Sequence, residues 1–218
     1  MDPIDEWTKA QQRVITLVAQ ATPEQVARPV PACPDWSVRD LFSHMVGLGA
    51  DVVAGNEPDD HNEAWTSAQV RSRADHDVPT LVAEWRQVAG PLTDWMRERG
   101  PRPLNDVIIH EQDIRGALGV PGAQDTPALA AIRDVFAGRF AARLGDVPAI
   151  ALVGPGWRWM SASDPEVVVS ASDFDLARAL VTRRSAAQLR AWTTRGDITA
   201  HLPAFALLGA LPDADLSE

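Results

Sequence analysis

The apolar residues of this chain change their period at Pro121-Gly122. Before that point they recur at three- and four-residue steps over long stretches, the spacing that lines one face of an α-helix. Beyond it they fall into short runs bounded by turn residues, as strands do. A chain of 218 residues with such a break reads as an α+β protein: a helical domain over residues 1–122, then a smaller α/β domain over residues 123–218.

Cap signals divide the first part. Residues 3–21 read as a helix that starts at Pro3 and carries Trp7, Ile15, Leu17 and Val18 among its apolar positions. Thr22-Pro23-Glu24-Gln25 has the form of a capping box and opens a short helix before the proline-rich turn PVPACP. Ser37 opens the next long helix, with Asp40 three residues on and Leu41, Met45, Leu48 and Val52 along one face. GNEPDDHNE is a polar loop, and residues 62–74 have room for a short helix. A third long pattern runs from Pro79 to about Arg99. Gly90-Pro91 within it predicts a kink or a break, because proline lacks the backbone donor and clashes with the preceding turn. The fourth starts near Pro103 and ends at Gly119. Four such helices make a bundle, whose cofactor sites are built from facing helices. After the break, residues 126–145 read as a helix, and AIALVG, WRWM and VVVSAS read as strands of a small, mostly antiparallel sheet. Helical spacing returns over residues 173–182, 185–193 and 203–208.

Composition narrows the function classes. The net charge is −10, without a basic run, which speaks against nucleic acid or an anionic membrane as partner. The single cysteine, Cys33, excludes an internal disulfide and suits a reducing cytoplasm. The polar, acidic start MDPIDEWTKAQQ is unlike a signal peptide, and no apolar stretch approaches the roughly 20 residues of a membrane span. The expectation is a cytoplasmic protein, monomer or homodimer. The eight tryptophans read mainly as core anchors.

Two helical segments carry the chemistry. One holds His44; the other, DVIIHEQDIRGALG, places Asp106 and His110 four residues apart, one above the other on a helix face. Val107, Ile108, Ile109, Ile114 and Leu118 mark that helix as largely buried. An acid and an imidazole on a buried face need partners. A divalent cation shared with His44 is one; an internal ion pair is the rival. Three protein ligands with a free position is the arrangement of catalytic zinc. Asp113, three residues past His110, is placed to take the imidazole's other N–H, or else to pair with Arg115 or Arg39. His61, His76 and His201 receive no role, and Cys33, between prolines, reads as packing.

The segments VPACPDWSVRDLFSHMVG and DVIIHEQDIRGALG, with the tail RRSAAQLRAW…GD…LPAFALLG, resemble the mycothiol-dependent maleylpyruvate isomerase family, which belongs with the DinB-like metal-binding four-helix bundles. The resemblance implies a divalent metal, zinc first, held by His44, Asp106 and His110. It also implies mycothiol as thiol cofactor and a C-terminal domain of sterol-carrier-like fold that helps wall the cleft. Family members carry Glu where this chain has Asp106, one methylene shorter. Arg183 and Arg184 lie in the resembling tail and are candidates to touch an anionic ligand, against the ordinary role of an exposed arginine pair.

The function this implies is a metal- and thiol-dependent enzyme, a mycothiol S-transferase or an isomerase like maleylpyruvate isomerase, in which a metal-held thiolate attacks an electrophilic small molecule. The alternatives are a non-catalytic metal- or small-ligand-binding protein on the same scaffold, and a metal-free bundle in which His110 pairs with Asp106. No residue is assigned as acid, base or nucleophile.

Overall fold

A computed structural model of the protein describes residues 1–58, 60 and 62–218; in it the helices start where the sequence offers caps. Asp2 caps α1 (Pro3–Gln20) by accepting from the Ile4 amide. Thr22 and Gln25 close a capping box on the short α2 (Pro23–Val26). Ser37 and Asp40 do the same for α3 (Val38–Ala54), which ends on Gly55 at φ 73°. Asn62 caps α4 (Glu63–Arg71), Asp77 caps α5 (Val78–Arg99), and α6 (Pro103–Leu118) ends on Gly119 at φ 68°. His61 lies outside the described residues.

The chain divides into two units, Met1–Gly122 and Ala123–Ser217. In the first, α1 packs on α6, α6 on α3, α3 on α5 and α5 on α1, a closed ring of four helices. Its centre is aromatic: Trp85 meets Trp7 edge-on at 6.1 Å and Phe42 at 5.4 Å, all three buried. The expected break at Pro91 is absent, and α5 is continuous through it. Two local features explain this. Gly90 has no Cβ to clash with the proline ring, and the Gln87 carbonyl that loses its partner sits on an exposed face where water can serve it. The PVPACP segment, expected as a turn, forms a two-stranded antiparallel ribbon of β1 (Pro29–Val30) and β2 (Cys33–Ser37), packed against α3 and α6.

The second unit is mixed. Helix α7 (Pro127–Arg143) starts at the Thr126 cap. A four-stranded sheet has the order β4-β3-β5-β6, with β3 (Ile150–Val153), β4 (Arg158–Met160), β5 (Val167–Ser170) and β6 (Thr193–Arg195). Its outer pairings are antiparallel and the central β3–β5 pairing is parallel. Strand β6 was not expected from the sequence; it starts at the last residue of the stretch read as helical over 185–193 and runs two residues beyond it. Helix α8 (Asp173–Leu180) packs on α7 and β3, and the short α9 (Ala186–Ala191) and α10 (Leu202–Phe205) complete the unit. A helical bundle followed by a small, mostly antiparallel sheet with helices is the α+β architecture anticipated above. Among the described residues, no helix is long and apolar enough to cross a membrane.

Candidate metal centre

The bundle brings the three expected ligands together. Helix α3 presents His44, and α6 presents Asp106 and His110 one turn apart. Their ligand atoms lie within 4.8 Å of one another. Asp106 Oδ1 stands 3.3 Å from His44 Nε2 and 3.4 Å from His110 Nε2, and the two rings meet edge-on at 5.2 Å between centroids. The side chains of His44, Asp106 and His110 are 6%, 15% and 12% exposed. The cluster is thus sheltered, but two of its members still reach solvent.

Each imidazole is held from behind through Nδ1. His110 Nδ1 lies 2.8 Å from Asp113 Oδ2, and His44 Nδ1 lies 2.7 Å from Gln69 Oε1. Asp113 therefore takes the role of imidazole partner. Its rival partners are engaged elsewhere: Arg115 pairs with Glu111, and Arg39 pairs with Asp40 and with the His76 carbonyl.

The contrast between the two sides of each ring tests whether the residues fit a cation. The Nδ1 contacts have ordinary hydrogen-bond lengths. The Nε2–Oδ1 separations exceed the roughly 2.7–2.9 Å of a charge-assisted N–H···O⁻ bond. They match the edge of a tetrahedron with ligand bonds of about 2.0–2.1 Å, which is about 3.3–3.4 Å. Two imidazoles oriented through Nδ1, plus one carboxylate, is also the donor set of a three-ligand zinc site with supporting hydrogen bonds. The residues fit the group.

The protonation equilibria of the metal-free cluster are strongly coupled. Burial by itself opposes ionisation of Asp106, but the charge of His110 and hydrogen bonds from His110 and His44 overcome it and hold the carboxyl well below its usual range. Burial likewise works against a charged His110, yet the Asp106 charge and hydrogen bonds to Asp106, Asp113 and Cys33 raise its pKa well above the ordinary imidazole value.

Two neighbours were not anticipated as part of this centre. Cys33 brings its Sγ to 3.9 Å from Asp113 Oδ2 and within 4.8 Å of a ring nitrogen of His110. Trp36 tilts over His44 with 5.0 Å between ring centroids. Both come from β2, the ribbon strand that the sequence hid inside a run of prolines. Gln69 was missed as well, since a single amide in a short polar helix gives no signal by itself.

Arg183 and Arg184 lie in the second unit, and the structure corrects the expectation of an exposed pair: they are 7% and 1% exposed. Arg184 donates to Asp175 Oδ1 through Nε at 3.0 Å and Nη2 at 2.9 Å. The preceding Thr182 holds φ at 61°, a costly conformation for a β-branched residue. Its hydroxyl donates to the Phe205 carbonyl at 2.8 Å and accepts from the Leu208 amide at 3.0 Å, which fixes the turn that carries both arginines. Of the histidines given no role, His76 lies 3.6 Å from Glu84, and His201 is fully buried with Nε2 donating to the Pro148 carbonyl at 2.8 Å.

Residues 7–110 match the family described as the mycothiol maleylpyruvate isomerase N-terminal domain. Two uncharacterized proteins from two strains of Mycobacterium tuberculosis are each 25% identical over 132 residues, covering 55% of this chain and 69% of their own. The fold is that of a crystal structure of the mycothiol-dependent maleylpyruvate isomerase, with a TM-score of 0.57 at 12% identity, covering 84% of this chain and 88% of that one. The segment that holds His44, Asp106 and His110 is thus a mycothiol maleylpyruvate isomerase N-terminal domain, matched over residues 7–110.

Proposed function

We propose that the protein is a mycothiol-dependent enzyme of the cytoplasm, an isomerase or S-transferase, with a divalent cation, zinc first, held by His44, Asp106 and His110. The observation that carries this reading is the convergence of two imidazole Nε2 atoms on one carboxylate oxygen while both Nδ1 atoms are bonded elsewhere. A bound cation would supply Lewis-acid stabilisation of a thiolate at neutral pH, where a free thiol with a pKa of about 8.5 is mostly protonated.

The residues of the chain supply the rest. Asp113 and Gln69 keep the two rings oriented, and Trp36 offers an apolar wall beside His44. In an isomerase the thiol sulfur adds to an activated cis double bond, the resulting single bond rotates, and the sulfur leaves. In a transferase the new carbon–sulfur bond stays, and the adjacent carbon takes a proton from water, balancing the one the thiol gave up. Arg183 and Arg184 are the residues we assign to the acidic part of the thiol or its electrophile, because a chain of net charge −10 needs local cations to hold an anion.

Metal content and thiol consumption test the reading together. Purified wild type should carry one divalent metal per chain and, with mycothiol present, should either isomerise an activated cis-alkene or join the thiol to an electrophile. His44→Ala and His110→Ala should lose both. Unchanged metal in these variants sinks the ligand assignment. Wild type that binds the metal yet neither joins mycothiol to an electrophile nor isomerises the alkene faster than a protein-free metal blank would turn the reading to a non-catalytic binding protein.

A further inference from the structure

We propose that Asp51 and Gln69 are positioning residues that decide which ring nitrogen of His44 carries the proton, an inference that rests on the metal site proposed above. Gln69 lies on α4, outside the ring of four helices, yet it is only 3% exposed. Its Nε2 donates to Asp51 Oδ2 at 2.8 Å. A carboxylate accepts and does not donate, so the NH2 end of the amide must face Asp51 and the carbonyl end must face His44. That carbonyl, Oε1, lies 2.7 Å from His44 Nδ1. Having no hydrogen of its own, it obliges Nδ1 to be the protonated nitrogen. Once a cation takes the place of the proton that Nε2 shares with Asp106, the lone pair of the neutral ring is left on Nε2.

The helix is shaped for this contact. His44, Gly47 and Asp51 stand at i, i+3 and i+7 on one face of α3. A Cβ at position 47 would lie 2.5 Å from Gln69 Cβ and 2.8 Å from Arg73 Nη1. Glycine therefore leaves the notch in which α4 seats Gln69. Beyond α4, Arg73 pairs with Glu84 on α5, and Arg39 of α3 donates to the His76 carbonyl, so the approach is fixed at the far end too. His110 is supported by a charged carboxylate and His44 by a neutral amide that relays a carboxylate one bond further away. The two ligands are thus polarised unequally.

The test uses Gln69→Leu, which keeps most of the volume and removes the acceptor, and the double variant Gln69→Glu with Asp51→Asn, which restores a donor at 51 and an acceptor at 69. Zinc or cobalt affinity is measured by chelator competition, and the His44 tautomer of the metal-free protein by imidazole nitrogen chemical shifts. Gln69→Leu should bind metal about 10- to 100-fold more weakly and lose the Nδ1–H tautomer, while the double variant recovers both. A folded Gln69→Leu that keeps wild-type affinity and tautomer overturns the proposal, as does a wild-type His44 without a proton on Nδ1. If wild type binds no metal, the site assignment fails, and the tautomer measurement still decides the roles of Asp51 and Gln69.

Discussion

Both imidazoles meet Asp106 through Nε2, so the chain holds an ion pair there that a bound cation would have to displace. The two pKa shifts set a window. His110, raised when folded, adds stability that is complete below about pH 6.5 and is lost as pH climbs through its elevated value. Asp106, depressed when folded, adds stability that is present above about pH 3.9 and is lost as pH falls through its lowered value. The pair therefore supports the metal-free protein best between about pH 4 and 6.5. The difference in denaturant midpoint between metal-free wild type and His110→Gln should shrink as pH rises beyond that window. Metal affinity should move the opposite way, since the ligand must be a neutral imidazole. While His110 remains protonated in the free protein, apparent affinity should rise about tenfold per pH unit with one proton released. An affinity that is flat with pH would mean that the cation does not take the place of that proton.

Helix α4 shows how much of the site depends on an element that contributes no ligand. Gly47→Ala would normally favour a helix by about 1 kcal/mol. Here the added methyl meets Gln69 Cβ at 2.5 Å, and overpacking of this kind costs about 1–3 kcal/mol. The variant should come out net destabilised in chemical denaturation and should bind metal more weakly. Gly138→Ala on α7, where nothing lies within 4 Å of an added Cβ, should instead gain about 0.5–1 kcal/mol. The same contrast separates what could be read from the sequence from what could not. The bundle helices were legible because their caps and their periods are local: Ser37 with Asp40, Thr22 with Gln25, Gly119 as terminator. His44, Asp106 and His110 were legible because two of them share a helix face and the third lies on an apolar stretch that had to be buried. Gln69 and Cys33 reach the site by packing alone, through a notch at Gly47 and a strand ribbon between prolines. No short-range pattern marks either. Strand β6 was hidden likewise, since its three residues gain their pairing only from β5.

At the scale of the whole molecule, the groups that would hold the cation and those that would hold the anion belong to different units. His44, Asp106 and His110, together with Asp51, Gln69 and Asp113, all lie within Met1–Gly122; Arg183 and Arg184 lie within Ala123–Ser217. The first unit closes its own ring of helices around Trp7, Phe42 and Trp85, and a unit of that length can bury a core of its own. Residues 1–122 produced alone should therefore fold and bind one equivalent of metal with the pH dependence of the full chain. On the role proposed above for Arg183 and Arg184, they should show no mycothiol-dependent turnover. A fragment that folds yet binds no metal would overturn the assignment of the cation to His44, Asp106 and His110. A fragment that turns over thiol as fast as the whole chain would remove Arg183 and Arg184 from the reaction and leave the bundle as the entire enzyme.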